Sequence, residues 1–341
     1  MKLLIIGGDS DYSIERFYLK YCKEHDSKLE IEFFAAQKMF YDNYNKNIFN
    51  KIIFKLGLSL IYKIINEKLK KLISKFKPDV IFIFKGMEIF PSTLLMAKKL
   101  KIILINYNPD NPFIFSGSGS GNNNITNSIV LYNIHFTYNL EVKKQIQQKF
   151  NIPTHILPFG FDIDSDTFKY CETIDEVNKV CFIGNPDKYR VKFILQLAMQ
   201  GICIDLYGHD WDGLVKNKNV TCYKAVYGIE FWILLRKYRV QLNLMRPHNL
   251  SSHNMRSFEI PGIGGIQLAP FTKDHDKYFK DGSEIFLFKN LTECLTKINF
   301  LLSLTKDTAN IIRFNSRANV LNNKHSYSDR SLQFLEILKS L

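Results

Sequence analysis

The segment from Arg246 to Gly265 gathers the side chains best suited to holding an anion. Asn254, Arg256 and Ser257 stand where a helix would begin, and Glu259 falls in its first turn. A guanidinium in that place can grip a diphosphate through two parallel hydrogen bonds. A carboxylate can accept from both hydroxyls of a vicinal diol, such as a ribose. Each residue also fits an ordinary role, Glu259 as a helix-dipole partner and Arg256 in a surface ion pair. The glycines that follow, Gly262, Gly264 and Gly265, leave room for a ligand to come close and turn the reading toward a nucleotide.

Two turns upstream point the same way. Gly184-Asn185-Pro186 follows the apolar run Lys179–Ile183, with Arg190 one turn into the next helix, and Gly208-His209 follows Cys203–Tyr207. Glycine in such a turn lets backbone N–H groups approach a phosphate, and a helix N-terminus adds positive partial charge. A proton acceptor is expected at the strand ends of the first half, with Asp110 ranked first and Asp11 second, ahead of Asp9 and Glu88. For each of these a turn or capping role is the ordinary alternative.

The elements that must position these residues alternate. Lys2–Ile6, Leu29–Phe34, Val80–Phe84 and Ile102–Asn106 are short apolar runs bounded by turn residues, and helical patterns lie between them. Further strands are expected near Ser128–Tyr132 and His135–Tyr138 and at Thr154–Leu157. After Pro158–Asp162, which reads as a linker, the alternation restarts with Lys179–Ile183, Cys203–Tyr207, Val220–Cys222, Val240–Leu244 and Ile266–Ala269. Strand–helix alternation implies βαβ units and parallel sheets covered on both faces. The expected fold class is therefore α/β, in two halves of similar size.

At 341 residues the chain is long enough for about two domains. With 46% hydrophobic and 23% charged residues it is neither disordered nor fibrous. The six cysteines form no C-x-x-C pair and no zinc spacing, and are expected as reduced thiols. No apolar run reaches the roughly 18 residues of a transmembrane helix, and the apolar start is too short for a signal peptide. A cytoplasmic protein is expected, with a peripheral place on the inner face of the cell membrane. Lys+Arg of 46 against Asp+Glu of 33 gives a net charge of +13, which attracts polyanions without choosing among them. Residues 46–77 hold nine of the lysines and a single acid, Glu67, with apolar residues at helical spacing between them. Such a helix can lie on an anionic membrane, or can face the core behind a solvated lysine surface.

The run N-x-R-x-F-E-I-P-x-x-G-G, Asn254 to Gly265, resembles the donor-site motif of GT-B glycosyltransferases, in particular the CgeB-like (spore-maturation) branch of the group 1 family. Phe182–Pro186 with Arg190, then Tyr207-Gly208, is similar to the start of that family's C-terminal domain. The stretch Ala269–Phe286 and the ending His325–Arg330 agree, so the likeness covers roughly residues 180–335. Asn108–Pro112 is similar to an acidic loop of the family, which is why Asp110 leads the candidate bases. The glycine-rich loop 116–121 is no part of the pattern.

The resemblance implies two Rossmann-like domains whose parallel sheets face a central cleft: residues 1–158 on the acceptor side, 159–324 on the nucleotide-sugar side, and a C-terminal helix in 325–341 that packs back on the first domain. It implies a donor held by Gly184, Asn185, Arg190, Tyr207, Gly208, His209, Asn254, Arg256, Ser257, Glu259, Gly264 and Gly265. Glu259 would meet the ribose, and Asn254, Arg256 and Ser257 the diphosphate. It also implies no cofactor and no metal, because protein cations would stabilise the leaving group. The expected activity is transfer of a sugar from a nucleotide-sugar to a hydroxyl of a cell-surface glycan or lipid-linked acceptor. A nucleotide-sugar 2-epimerase of the same architecture is the nearest alternative, and a non-enzymatic polyanion-binding protein a more distant one. No nucleic-acid-binding motif is present, so nucleic acid is not an expected partner.

Overall fold

The computed structural model describes residues 1–115, 119–246 and 249–340; positions 116–118 of the glycine-rich loop, 247–248 of the Arg246–Gly265 segment and 341 lie outside the described residues. The chain divides into two units, the first made of Met1–Pro158 and Arg330–Leu341, the second of Phe159–Asp329.

The first unit runs β1 (Lys2–Ile6), α1 (Ile14–His25), β2 (Glu30–Phe34), α2 (Ala36–Tyr44), α3 (Ile48–Lys55), α4 (Ile61–Phe76), β3 (Val80–Phe84), α5 (Pro91–Lys99), β4 (Ile103–Tyr107), α6 (Asn123–Ser128), β5 (Ile134–Thr137), α7 (Leu140–Phe150) and β6 (Thr154–Ile156). Its sheet has the order β2-β1-β3-β4-β5-β6, with every pairing parallel. Every residue of β3 is buried, as a parallel strand between two helical layers must be. On one face, Ile61, Ile65, Leu69, Ile73 and Phe76 of α4 pack with Ile81 and Ile83 of β3. The lysines of α4 therefore sit opposite a core-facing stripe, and the amphipathic expectation for residues 46–77 resolves in its second half to a buried helix.

The expected strand at Ser128–Tyr132 is a helix end followed by a 3-10 turn at Ile129–Leu131. A short apolar run does not tell strand from helix by periodicity. Asn122 decides it, because its side chain accepts from the Asn124 and Ile125 N–H groups and starts α6.

The second unit runs α8 (Ser165–Glu172), β7 (Val177–Ile183), α9 (Lys188–Met199), β8 (Ile204–Tyr207), β9 (Val220–Tyr223), α10 (Gly228–Lys237), β10 (Tyr238–Leu242), α11 (Arg256–Gly262), β11 (Gln267–Pro270), α12 (Lys273–Tyr278), β12 (Phe286–Phe288), α13 (Leu291–Ser303) and α14 (Lys306–Asn322). Its parallel sheet has the order β12-β11-β10-β7-β8-β9. Val180, Phe182, Leu206, Val240, Leu242 and Leu268 from the strands meet Phe193, Ile194, Leu197, Ile298 and Leu301 from α9 and α13 in one core. A last helix, α15 (Tyr327–Lys339), contributes Arg330 onward to the first unit. There the Phe334 ring stacks on Phe82 with centroids 4.3 Å apart, and Lys339 pairs with Asp26.

Two Rossmann-like α/β units thus carry two six-stranded parallel sheets. In each sheet the strand order reverses once, between β1 and β3 and between β7 and β10. At such a reversal the connections leave toward opposite faces, and a crevice opens at the carboxyl ends of the two strands.

Candidate functional site

In the second unit the crevice lies between the ends of β7 and β10, where most of the expected residues fall. The turn after β7 is tightly built. Gly184 N–H donates to Tyr207 O at 2.8 Å, and the buried Trp211 indole donates to Gly184 O at 2.7 Å. A Cβ on Gly208 would stand 2.3 Å from Gly184 O, so the turn after β8 closes only with glycine there. Asn185 Oδ1 accepts from His209 N–H at 3.0 Å, and His209 Nε2 lies 2.8 Å from the Tyr227 hydroxyl. Gly184, Asn185, Gly208 and His209 are therefore brought together. Tyr207 stacks on Tyr223 and shares a hydrogen bond with Tyr238, which donates to Asp205.

Arg190 is buried rather than offered to a ligand. Its Nη1 donates to Asn185 O at 2.9 Å, and its Nε and Nη2 to Leu244 O at 3.2 and 2.7 Å. One planar guanidinium thereby ties the β7 side of the crevice to the β10 side. Burial pulls its pKa down to about 10; Asp187 opposes this, and the charges of Arg246 and Arg256 add to it. Arg246 and Arg256 thus lie within electrostatic reach of Arg190.

On the β10 side, a buried network fixes the start of α11. Asn254 Nδ2 donates to Asn243 Oδ1 at 2.8 Å, and Asn254 Oδ1 accepts from Ser257 N–H. His275 Nδ1 lies 2.9 Å from Pro270 O and its Nε2 2.8 Å from Ser257 Oγ. Since a carbonyl only accepts, Nδ1 carries the proton and Nε2 accepts from the serine hydroxyl. Burial holds His275 down at about 4, so it stays neutral. Asn254 and Ser257 act here as scaffold. His275, which the sequence reading passed over, is the hub; its spacing from Ser257 carries no signal, because the contact is made across β11.

Arg256 and Glu259 do meet. Arg256 Nη1 is ion-paired with Glu259 Oε2, and the guanidinium lies 4.3 Å from the centre of the Phe231 ring. Among the described residues the buried Arg256 Nε has no hydrogen-bond partner. The glycines after α11 serve the protein itself. Gly264 takes φ +71° as the left-handed cap, and Gly265 N–H closes on Ile260 O at 2.8 Å. A Cβ on Gly265 would lie 2.6 Å from Leu235 O. At Gly262 a Cβ would instead meet the Phe161 ring, 2.6 Å away, and at Gly264 nothing lies closer than 3.6 Å.

The first unit's crevice, between β1 and β3, carries acids. Glu15 of α1 folds back so that its Oε1 accepts from Gly8 N–H at 2.9 Å. Burial raises its pKa to about 7; the Gly8 N–H and the Lys85 charge work against this, and Glu88 adds to it. Glu88, after β3, is itself buried and likewise raised, chiefly by desolvation. Lys85 sits in the left-handed region at φ +59°, a strained conformation for a residue with a side chain. From there its Nζ reaches Asp110 Oδ2 and Gly119 O, each at 2.6 Å. Asp110 is therefore held in an ion pair, and Asp11 is exposed in the turn before α1. The sequence reading missed Glu15 because an acid in a first helical turn looks like a dipole partner.

Asp9/Asp11, Asp162/Asp164, Asp164/Asp166, Asp210/Asp212 and Asp274/Asp276 have D-x-D spacing in the sequence. Asp9 pairs with Arg16, Asp164 caps α8, and Asp274 lies 2.8 Å from His253 Nδ1. Among the described residues no three His, Cys, Asp or Glu side chains gather as metal ligands.

Residues 190–336 match a family model described as glycosyl transferase-like. No curated protein matches the chain in sequence. Solved structures match over almost the whole length. Sucrose-phosphate synthase from Thermosynechococcus elongatus aligns with a TM-score of 0.70 at 9% identity, covering 100% of this chain and 98% of that one. HepE from Anabaena, solved in complex with UDP and glucose, aligns with a TM-score of 0.66 at 13% identity over 100% of both chains. UDP-GlcNAc 2-epimerase from Neisseria meningitidis, bound to UDP-GlcNAc, gives 0.59 at 15% identity over 100% of both. The chain shares the GT-B fold of these structures, and the matched region carries the motif Asn254–Gly265.

Proposed function

We propose that the protein is a glycosyltransferase that moves a sugar from a nucleotide-sugar to a hydroxyl of a cell-surface glycan or lipid-linked acceptor. The observation that carries this reading is the Arg256–Glu259 ion pair in the first turn of α11, with Arg246 and Arg256 within electrostatic reach of Arg190. HepE, of the same fold, was solved with UDP-glucose. In this reading Arg246 and Arg256 answer the diphosphate, and Glu259 accepts from the ribose hydroxyls. Arg190, already saturated by carbonyls, holds the crevice at its width. Charge developing on the departing nucleotide is met by fixed cations, without a metal or other cofactor.

The first unit supplies the proton chemistry. A general base works best when its pKa lies near the operating pH. Glu15, held up at about 7 mainly by burial, meets that condition, and we assign it the acceptor's proton in preference to Asp110 or Asp11. The CgeB-like motif and the absence of a helix able to cross a membrane among the described residues fit a peripheral enzyme of the cytoplasmic face.

The test is a thermal-shift screen with UDP-, GDP-, CMP- and dTDP-sugars. A donor at one hundred times its Kd adds about 2.7 kcal/mol of stability. One nucleotide class is expected to give this shift, and Glu259→Ala to abolish it. No shift with any class would reject the reading. The likeness to UDP-GlcNAc 2-epimerase favours a second reading, epimerisation at the same site. A transferase releases nucleoside diphosphate only when an acceptor is present; an epimerase converts its substrate alone.

A further inference from the structure

The first unit carries an apolar face that its own core does not use. Ile48, Phe49, Ile52, Ile53 and Leu56 of α3 and its end, Leu58 and Leu60 of the following loop, and Ile64 of α4 are between 41% and 70% exposed. No residue of α3 is buried. Monomers rarely leave so many large apolar side chains together in water without a use for them.

The face is built, not frayed. Asn47 caps α3 by accepting from Asn50 N–H at 2.8 Å, and Asn50 Nδ2 donates to Asn43 O at 2.7 Å. The Phe54 ring sits among Phe40, Tyr44 and Tyr62, with centroids 4.9 to 5.7 Å away. At about 100° per residue, Asn50 and Phe54 fall on the anchored side of α3. Ile48, Phe49, Ile52, Ile53 and Leu56 fill an arc of about 140° on the other side, and Lys51 and Lys55 fall along one edge of it. Residues 46–66 contain four lysines, Lys46, Lys51, Lys55 and Lys63, and no Asp or Glu. Lys55 and Lys63 are exposed. The contrast with α4 is informative: there the apolar stripe of Ile61, Ile65, Leu69 and Ile73 is buried.

We propose that α3 and the loop 56–60 dock the first unit on an anionic lipid bilayer, the apolar arc entering the acyl boundary and the lysines meeting lipid phosphates. Charge selects this occupant. A face that buries against a second copy would bring like-charged lysines together, whereas an anionic surface rewards each of them. The inference stands apart from the transfer reaction and needs no turnover to test it.

The experiment is sedimentation of the full chain with phosphatidylglycerol/phosphatidylcholine vesicles and with phosphatidylcholine alone, in low and high salt. Binding to the anionic vesicles is expected to exceed binding to neutral ones at least tenfold and to weaken in high salt. Lys55→Gln and Lys63→Gln are expected to cost about fivefold each, the equivalent of roughly 1 kcal/mol per lysine near the surface. Phe49→Ser with Leu56→Ser is expected to cost more than tenfold, with the melting temperature unchanged because both side chains are exposed. A Phe49→Trp reporter is expected to shift to the blue on binding and to be quenched by brominated acyl chains. Equal binding to neutral vesicles, full binding by the serine variant or an unquenched reporter would overturn the proposal. So would a dimer in light scattering that Phe49→Ser dissociates, which would give the face to a second copy.

Discussion

The crevices of the two units occupy equivalent places and carry opposite charge. The second sheet, read from β9 to β12, has three strands, β9, β8 and β7, before its reversal point; the first sheet has one fewer, β2 and β1 alone standing before β3. At the β7/β10 reversal stand Arg190, Arg246 and Arg256, and at the β1/β3 reversal stand Glu15 and Glu88. Each set has partners of the other sign, Asp187 and Glu259 in the second unit and Lys85 in the first. Parallel topology supplies a place where strands end and backbone groups are exposed; the side chains in the turns decide what is done there. In the second unit the charges of Arg246 and Arg256 act on the buried Arg190. In the first, burial raises the proton affinity of both carboxyl groups, that of Glu15 to about 7.

The largest expected effect breaks this division of labour at Glu15. Glu15→Gln keeps the shape and the Gly8 contact but cannot take a proton. Turnover is expected to fall by about 10²- to 10⁴-fold, while the donor-induced thermal shift stays intact. The working form of Glu15 is the carboxylate, and its pKa is raised to about 7, so activity should rise with pH through that value. The rising limb should vanish in the variant. Loss of donor binding in Glu15→Gln would instead place this acid in the donor site.

A second test asks where the units behave alike. Each contains a buried histidine held down at about 4 mainly by desolvation, His135 in the first and His275 in the second. A depressed histidine binds protons more readily when unfolded. Its contribution is therefore present above the unfolded value near 6.5 and is lost as pH falls toward 4. Calorimetry between these pH values should show a loss of about 3 kcal/mol for each such group. His275→Gln should flatten the second unit's share and, by disturbing Ser257, lower stability at pH 7 by about 1–3 kcal/mol. An unchanged acid slope would mean that His275 is solvated.

Within the second unit the arginines divide into scaffold and ligand. Arg190→Lys removes a planar fork that satisfies two carbonyls, and should lower stability by about 1–3 kcal/mol without added donor. Arg256→Lys should leave the melting temperature of the unliganded protein nearly unchanged and shrink the donor-induced shift. The reverse pattern would exchange their roles.

How much of this was legible in the sequence follows from the range of the interactions. The strands and the turns Gly184–Asn185 and Gly208–His209 were readable, because apolar runs and turn residues are local signals. The motif Asn254–Gly265 falls between β10 and β11, and its Arg256 and Glu259, one turn apart, do meet. The saturation of Arg190 by Leu244 O, the Ser257–His275 bond and the fold-back of Glu15 onto Gly8 were not readable. The first two join residues brought together by strand pairing, and the third depends on burial, which the sequence does not spell out. The glycines Gly262, Gly264 and Gly265 were read as leaving room for a ligand; that a Cβ would meet the Phe161 ring at Gly262 and Leu235 O at Gly265 was not readable.

The smallest expected effect sharpens the comparison most, because it concerns the residue that sequence reasoning ranked first. Asp110 already has a cation: Lys85 Nζ sits 2.6 Å from its Oδ2 and equally close to Gly119 O. A carboxylate so engaged must give up its partner before it can take a proton, whereas Glu15 is held by backbone N–H groups, its own and that of Gly8. Asp110→Asn should therefore cost less than about 1 kcal/mol of stability, as for other partly exposed pairs, and less than tenfold in turnover. Its one predicted trace lies in the pH profile. Lys85, no longer neutralised, pulls harder on Glu15 and Glu88, whose proton affinities it already lowers, so the rising limb should move to lower pH. A fall in turnover as large as that of Glu15→Gln would return the proton to Asp110 and make Lys85 the group that releases it.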